Sequence, residues 1–583
     1  MQMAIFVGVC FCSAAFSEEE KTKVFVARKI VTLDPGWSTA TAVAVREGKI
    51  LSVGSMDDLK PWLDKYPYDV DNTFADKVIM PGFIEAHGHP LLGGYLLQLP
   101  LVSYQPIPSI TKEAFKGLKT RDEAVNSLAN DERSMKDPKK PLLAWGFDSV
   151  VFGGHLTRQE LDKISATRPI YVQDASEHFV YLNSAAIQQR GFTPDLAKKI
   201  IGVGLTDGGE LNGQFLGTTA AVTAIGPFFD KQLKGEAGRQ NIDYMVGLSL
   251  KGGITTQSEL ALGLTDVDAQ AYTFDRYFND PDAPMRCVVV TDIAGLIRQK
   301  GANALNSAIR LQGRSTDKLI FHGVKSFADD SFLGFGMAME NPGYIDGHQG
   351  VYNNNGLAFY QQLKPFWDAG FQIHIHTNGN GGQADTIEVL KRLQAAHPRF
   401  DHRFTFQHFG IATPAQIKDV KALGAIVSVN PYYVYYRGEI NAPYIGADRA
   451  YTADRLHTIL ENGITASLHS DAPIGAPCPL EWVWIAVNRF GQSGKVLAPE
   501  ERVSVGDALK MITINAAYTL GVDDKLGSIE PGKFADFTVL EADPYQVPPE
   551  KLREIKIWGT VVGGTKHPVE EAKSHGVRAQ ETH

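Results

Sequence analysis

Cysteine is scarce in this chain, with four among 583 residues. That is too few for the disulfide framework of a small secreted scaffold. No apolar run is long enough to span a bilayer. There is no run of like charges, no low-complexity tract and no short repeat, which removes disordered tails and solenoid architectures. An excess of basic residues is also missing. The net charge of −9 leaves no positive surface for nucleic acid and disfavours anionic membranes. What is present is the composition of a large globular protein, 44% apolar and 21% charged. The length exceeds what one compact core needs, so a second domain or a large insertion is expected.

The first residues read as an address rather than as structure. Residues 4–16 form a 13-residue, mostly apolar stretch, too short to cross a membrane comfortably. Ala15-Phe16-Ser17 then offers small residues on either side of Phe16, before Glu18. We read residues 1–17 as a signal peptide, although Met-Gln-Met carries no Lys or Arg. Export to the periplasm or outside the cell is the expectation, with a cytoplasmic location if the leader is not cleaved. Cys10 and Cys12 would leave with it, and Cys287 and Cys478 would remain as buried free thiols.

The most informative segment is Pro81-Gly82-Phe83-Ile84-Glu85-Ala86-His87-Gly88-His89-Pro90. Residues 78–86 read as a β-strand that ends in His-x-His. Positions i and i+2 of a strand face the same side, about 7 Å apart, so both imidazoles can reach one metal ion. Later strand-like segments carry further candidate ligands: Lys325 in Gly323-Val324-Lys325-Ser326-Phe327-Ala328-Asp329, His376 in Ile373-His374-Ile375-His376-Thr377, and His408 after Phe404-Thr405-Phe406-Gln407. Asp471 follows in Ile464-Thr465-Ala466-Ser467-Leu468-His469-Ser470-Asp471. From Lys325 onward the gaps are 51, 32 and 63 residues. One strand–helix unit takes about 30 residues or more, so each gap fits one or two units.

These residues together resemble the metal-dependent amidohydrolase superfamily, in the branch of YtcJ-like proteins (amidohydrolase family 3). The Pro-Gly-Phe-Ile-x-x-His-x-His entrance carries the superfamily likeness, as does the closing Gly527-Ser528-Ile529-Glu530-Pro531-Gly532-Lys533-x-Ala535-Asp536. The lysine strand, His376 followed by Gly379, and Ser470-Asp471-Ala472-Pro473 carry the likeness to the branch, with Leu156-Thr157-Arg158, Arg168-Pro169 and Asn183-Ser184-Ala185-Ala186. The chain departs from the family pattern at three places. Glu85 replaces an aspartate, Gln407 a glutamate, and Asn380 an acid. These changes bear on hydrogen bonding and pocket charge, and so on the substrate.

Period and punctuation give an organisation that the resemblance also implies. Both ends of the chain are β-rich and the middle alternates strand and helix. The expected fold is α/β: a (β/α)8 TIM barrel, a small β-sandwich domain built from both termini, and an inserted subdomain after barrel strand 1. The expected bounds are 22–78 with 525–570 for the sandwich and 79–90 with 252–524 for the barrel. Residues 91–251 form the insertion, placed over the C-terminal mouth where active sites of this fold lie. Strand-like residues 142–145 and 170–172 fall inside it.

Imidazoles, a carboxylate and other oxygen donors suit zinc first, with manganese, iron or cobalt as alternatives. The resemblance implies His87, His89, Lys325, His376, His408 and Asp471 as metal ligands, with Asp471 also the general base and acid. It implies one metal per chain, or two if Lys325 is N-carboxylated into a bridging carboxylate. The implied reaction is hydrolysis of a non-peptide C–N bond in a small molecule, an amide or an N-acyl or N-formyl amine. A lactone or ester hydrolase would use the same site, and an exported non-catalytic binding protein is the alternative outside enzymes. Trp145, His178, Asn378 and Arg437 are candidates for holding substrate. Trp145, Phe147, Tyr432, Tyr433 and Tyr436 are candidates for an apolar wall. His374 and His469, each two residues before a ligand, read as satisfied core histidines one layer deeper in the barrel. The superfamily often forms homodimers, and nothing in the chain marks an interface.

Overall fold

The computed structural model describes residues 21–36 and 38–577. The expected leader, with Cys10 and Cys12, lies outside the described residues. Eight parallel strands run in sequence order around one sheet. They are Phe83–Ile84, Ile254–Leu262, Arg286–Asp292, Leu319–Phe327, Ile373–Thr377, Thr405–His408, Ile426–Val429 and Ala466–Leu468. Every residue of Ile254–Leu262 is buried, as a parallel strand covered on both faces requires. The first and last strands meet beyond their ends. There the Asp471 N–H donates to the His87 carbonyl at 2.9 Å, and the His89 N–H donates to the Ala472 carbonyl at 3.0 Å.

Seven strands from the two ends of the chain make the expected terminal β-structure, hydrogen-bonded as one continuous sheet. Phe537–Leu540 pairs antiparallel with the last residues of Tyr68–Pro81, which runs beside Thr22–Val31. Phe25, Phe74 and Phe537 fill its core, with ring centroids 5.5 Å apart for Phe25–Phe74 and 6.4 Å for Phe25–Phe537. Glu47 and Gly48, both with positive φ, form the tight turn between Thr39–Arg46 and Lys49–Gly54.

The single strand expected over 78–86 is divided. Residues 78–81 end the terminal-sheet strand Tyr68–Pro81, and the barrel strand is only Phe83–Ile84. The chain passes between sheets at Gly82, where a Cβ would lie 2.0 Å from Thr255 Oγ1. Only glycine fits that crossing. His87 and His89 therefore lie past the strand, in the turn that leads into helix Pro90–Leu96.

The expected insertion contains a five-stranded sheet of its own, in which Leu142–Phe147 pairs with Ile170–Asp174. Its two ends are built into the barrel wall. Helix Pro90–Leu96 packs on helix Gly235–Lys251, closely enough that a Cβ at Gly94 would lie 1.9 Å from the Asn241 carbonyl oxygen. Cys287 is buried, Cys478 is half-buried, and neither forms a disulfide. No helix among the described residues is long and apolar enough to cross a membrane.

A buried ion pair ties the barrel to the terminal sheet. Arg286 on the third barrel strand grips Asp536 with two bonds, 2.7 Å from Nε and 3.0 Å from Nη2, and stacks on Phe534. Arg286→Met would leave Asp536 as a buried unpaired acid. We expect a loss of about 3–5 kcal/mol, read as a lowered midpoint in urea unfolding. Asp536→Leu added to that variant should recover part of the loss, because removing both charges leaves nothing unpaired.

Candidate metal centre

Four imidazoles and one carboxylate converge at the mouth of the barrel. Asp471 Oδ1 lies 3.4 Å from both His87 Nε2 and His89 Nε2, and Oδ2 lies 3.9 Å from His408 Nδ1. His469 Nε2 lies 3.3 Å from His408 Nδ1. Two triads bring their ligand atoms within 4.8 Å of one another: His87, His89 and Asp471, and His87, His408 and His469. Burial pushes His87, His408 and His469 well below the usual histidine range, and the nearby Lys325 charge pushes the same way. They are neutral imidazoles with lone pairs to offer, the form that binds metal.

The outer ring nitrogens are held from behind. The His87 Nδ1–H donates to Gln407 Oε1 at 2.7 Å, and the His89 Nδ1–H to Glu259 Oε1 at 3.0 Å. At His87 the bond fixes the tautomer that leaves Nε2 unprotonated and aimed inward; at His89 it aims Nε2 inward, toward Asp471, where a metal ion would take the place of a proton. Gln407 also donates from Nε2 to His374 Nδ1 at 3.0 Å. Its amide thus joins two histidines, one through each end. Burial disfavours charge on His89, yet Asp471 and Glu259 together raise it to about 10. The two acids hold positive charge at the point where a cation would sit.

Glu85 stitches this region to the eighth strand. Its Oε1 accepts from the backbone N–H of Ser470 at 3.1 Å and of His87 at 3.3 Å, and its Oε2 bonds the Ser470 hydroxyl. Burial raises its carboxyl to about 8. His408 and Asp471 both adopt left-handed backbone, with φ of 72° and 57°. Such residues cost about 1–3 kcal/mol each and persist only where the surroundings impose them.

Lys325 and His376 stand at the edge of the cluster. Lys325 is 1% exposed, and its Nζ lies 3.3 Å from His87 Nε2. Burial lowers its amine to about 7. The His376 ring lies 4.4 Å from that of His408, but its Nε2 faces Asn378 Nδ2 at 3.0 Å and the Asp330 carbonyl at 3.4 Å. Asn378 therefore contacts His376. Arg437, expected in a substrate contact, is instead buried against Asp148 of the insertion, which neutralises it. His178 Nδ1 pairs with Asp330 Oδ1 at 2.8 Å, pinning the insertion to the loop after the fourth strand.

Trp145 is 2% exposed and lines a narrow pocket with Leu97, Tyr104, Leu333, Pro473 and Ile474, against the Asp471–Pro473 turn. Tyr433 stacks on Phe332 and faces His408, with centroids 6.2 Å apart. Phe147 belongs to the insertion's own core. His469, expected a layer deeper in the barrel, joins the cluster. One residue escaped the sequence reading. Glu177, at a hairpin tip of the insertion with φ of 64°, has an Oε1 shielded from solvent and without a hydrogen-bond partner.

The profile of an amidohydrolase family matches residues 75–566. The chain belongs to amidohydrolase family 3. Relatives cover it almost end to end. Protein LONG AFTER FAR-RED 3 of Arabidopsis thaliana is 27% identical over 92% of this chain and 89% of its own length. N-substituted formamide deformylase of Arthrobacter pascens is 26% identical, over 91% of this chain and 96% of its own. YtcJ of Bacillus subtilis is 24% identical, over 90% and 95%. An uncharacterized metal-dependent hydrolase from Pyrococcus horikoshii shares the fold with a TM-score of 0.70, at 18% identity over 91% of this chain and 99% of that one.

In this family member the Gln407 amide carries the orientation of His87. Gln407→Leu keeps the volume and removes both hydrogen bonds. We expect zinc affinity to fall about 10–100-fold, measured by competition with a chromophoric chelator, and the metal-free protein to lose about 1–3 kcal/mol in urea unfolding, because two buried ring nitrogens lose their partner.

Proposed function

We propose that this amidohydrolase hydrolyses the amide bond of an N-formyl or N-acyl amine at a divalent metal centre. One observation carries the reading: the inward Nε2 atoms of His87 and His89 share Asp471 Oδ1 at 3.4 Å each. His408 Nδ1 faces the other oxygen of the same carboxylate. The donor set fits a borderline divalent ion, with zinc first. His87, His89 and Asp471 would hold it. When bound, such an ion supplies Lewis acidity that activates water near neutral pH and polarises the carbonyl. Asp471 would accept the proton of the attacking water on one oxygen and pass it to the departing nitrogen, releasing amine and carboxylic acid. Glu259 and Gln407 hold the His89 and His87 rings with Nε2 turned inward, as this needs.

Lys325 fits a second position once carboxylated. Its Nζ is buried beside His87, and among the described residues no carboxylate lies within ion-pair distance of it. The neutral amine would attack carbon dioxide, forming the N–C bond and losing one proton, so that an uncharged buried amine becomes an anion. That carbamate, with His376 and His408, would hold the second ion, after His376 exchanges the Asn378 contact for it. The deformylase of Arthrobacter pascens directs the choice of substrate toward N-substituted formamides.

The test combines metal analysis with turnover. Protein purified without chelator should carry about two zinc or manganese equivalents and release formate from N-alkylformamides. A chelator should abolish turnover and added zinc restore it. His408→Ala should lower kcat at least a hundredfold, and Lys325→Met should leave about one equivalent. Full turnover in His408→Ala, or none of these amides cleaved by metal-loaded protein, would sink the proposal.

A further inference from the structure

His469 is held in the same way as the imidazoles beside it. Its Nδ1 lies 2.8 Å from the hydroxyl of buried Ser428 on the seventh strand. Its Nε2 points into the cluster, 3.3 Å from His408 Nδ1. Its ring centroid lies 4.7 Å from that of His87 and 5.2 Å from that of His408. This repeats what Gln407 does for His87 and Glu259 does for His89: the outer nitrogen is anchored and the inner nitrogen is presented. His374 is the contrast. It also sits two residues before a candidate ligand, yet its Nδ1 accepts from Gln407 and its Nε2 has no partner, against the backbone of Gly323.

We propose that His469 supplies a further imidazole to this centre, on its deep side next to His87 and His408, with Ser428 as its positioning residue. The inference rests on the metal reading above and adds a ligand to it. His87 belongs to both triads, and with its Nδ1 held by Gln407 it has one lone pair left to offer, so they cannot be filled as two independent sites. The deep triad is all nitrogen, whereas the outer one includes Asp471. Imidazole-rich surroundings favour zinc and cobalt over the harder manganese. His469 therefore sets both affinity and metal preference.

The experiment measures binding of zinc, cobalt and manganese to the metal-free full chain by chelator competition, together with the visible spectrum of the cobalt form. His469→Phe should bind zinc about 10–100-fold more weakly, lose most of the zinc-over-manganese preference, and show an altered cobalt spectrum. X-ray absorption of the zinc form should count one imidazole fewer. Unchanged affinity, preference and spectrum in a folded His469→Phe would overturn the assignment while leaving the metal reading intact. Wild type that binds none of the three ions would overturn both. If His469→Phe does not fold, Ser428→Ala decides. It keeps the imidazole and frees its outer nitrogen, so weaker zinc binding supports the assignment and unchanged binding refutes it.

Discussion

Two backbone hydrogen bonds between the exits of the first and eighth barrel strands govern the rest of this site. They run from Asp471 to the His87 carbonyl and from His89 to the Ala472 carbonyl. The participating residues are the ones whose side chains converge. Wherever this seam closes, His87, His89 and Asp471 must meet, because their backbones are already bonded. Glu85 reinforces it by bonding Ser470 and the His87 backbone from one carboxyl group. A buried acid whose carboxyl is raised to about 8 can be neutral here and still bind. Closure of the barrel and assembly of the centre are therefore one event.

Around that seam, polarity is arranged in two layers. The inner layer presents nitrogens and carboxylate oxygens to a common point. The outer layer, Gln407, Glu259 and Ser428, grips the far nitrogens. Neighbouring strands supply the outer residues: Glu259 from the second, Gln407 from the sixth and Ser428 from the seventh. Every imidazole so held is fixed by an element other than its own, so strand register sets ligand geometry. A shift of one residue in a strand would turn its anchor to the opposite face.

Much of this was legible in the chain. Parallel barrel strands are buried on both faces and read as apolar runs, so the strands that lead to the candidate ligands could be located and ordered. The His-x-His segment, Lys325, His376, His408 and Asp471 stood at their ends. His469 lies nearer the cluster than expected for a physical reason. Placing it a layer below Asp471 assumes an extended strand, but the strand ends at Leu468 and Asp471 has left-handed backbone. Over such a turn the two-residue rule no longer sets depth, and both side chains reach inward. The same rule placed His87 and His89 on a strand that in fact ends at Ile84. Arg437 was misread because its partner, Asp148, lies 289 residues away in the insertion. No local pattern encodes such a pairing.

The contacts of the insertion explain why the mouth needs it. Asp148 neutralises Arg437 beyond the seventh strand, and His178 pairs with Asp330 beyond the fourth. Both pairs are largely shielded from water, where an unpaired charge would be costly. The insertion thus brings the opposite charge to each of two barrel loops, and those loops pack together through Phe332 stacked on Tyr433. Tyr433 in turn faces His408. An acid in the insertion, through an arginine and an aromatic stack, is mechanically continuous with an imidazole of the centre. Displacing the insertion would expose two unpaired charges and loosen the ring beside His408. The insertion is therefore part of what holds the centre in shape.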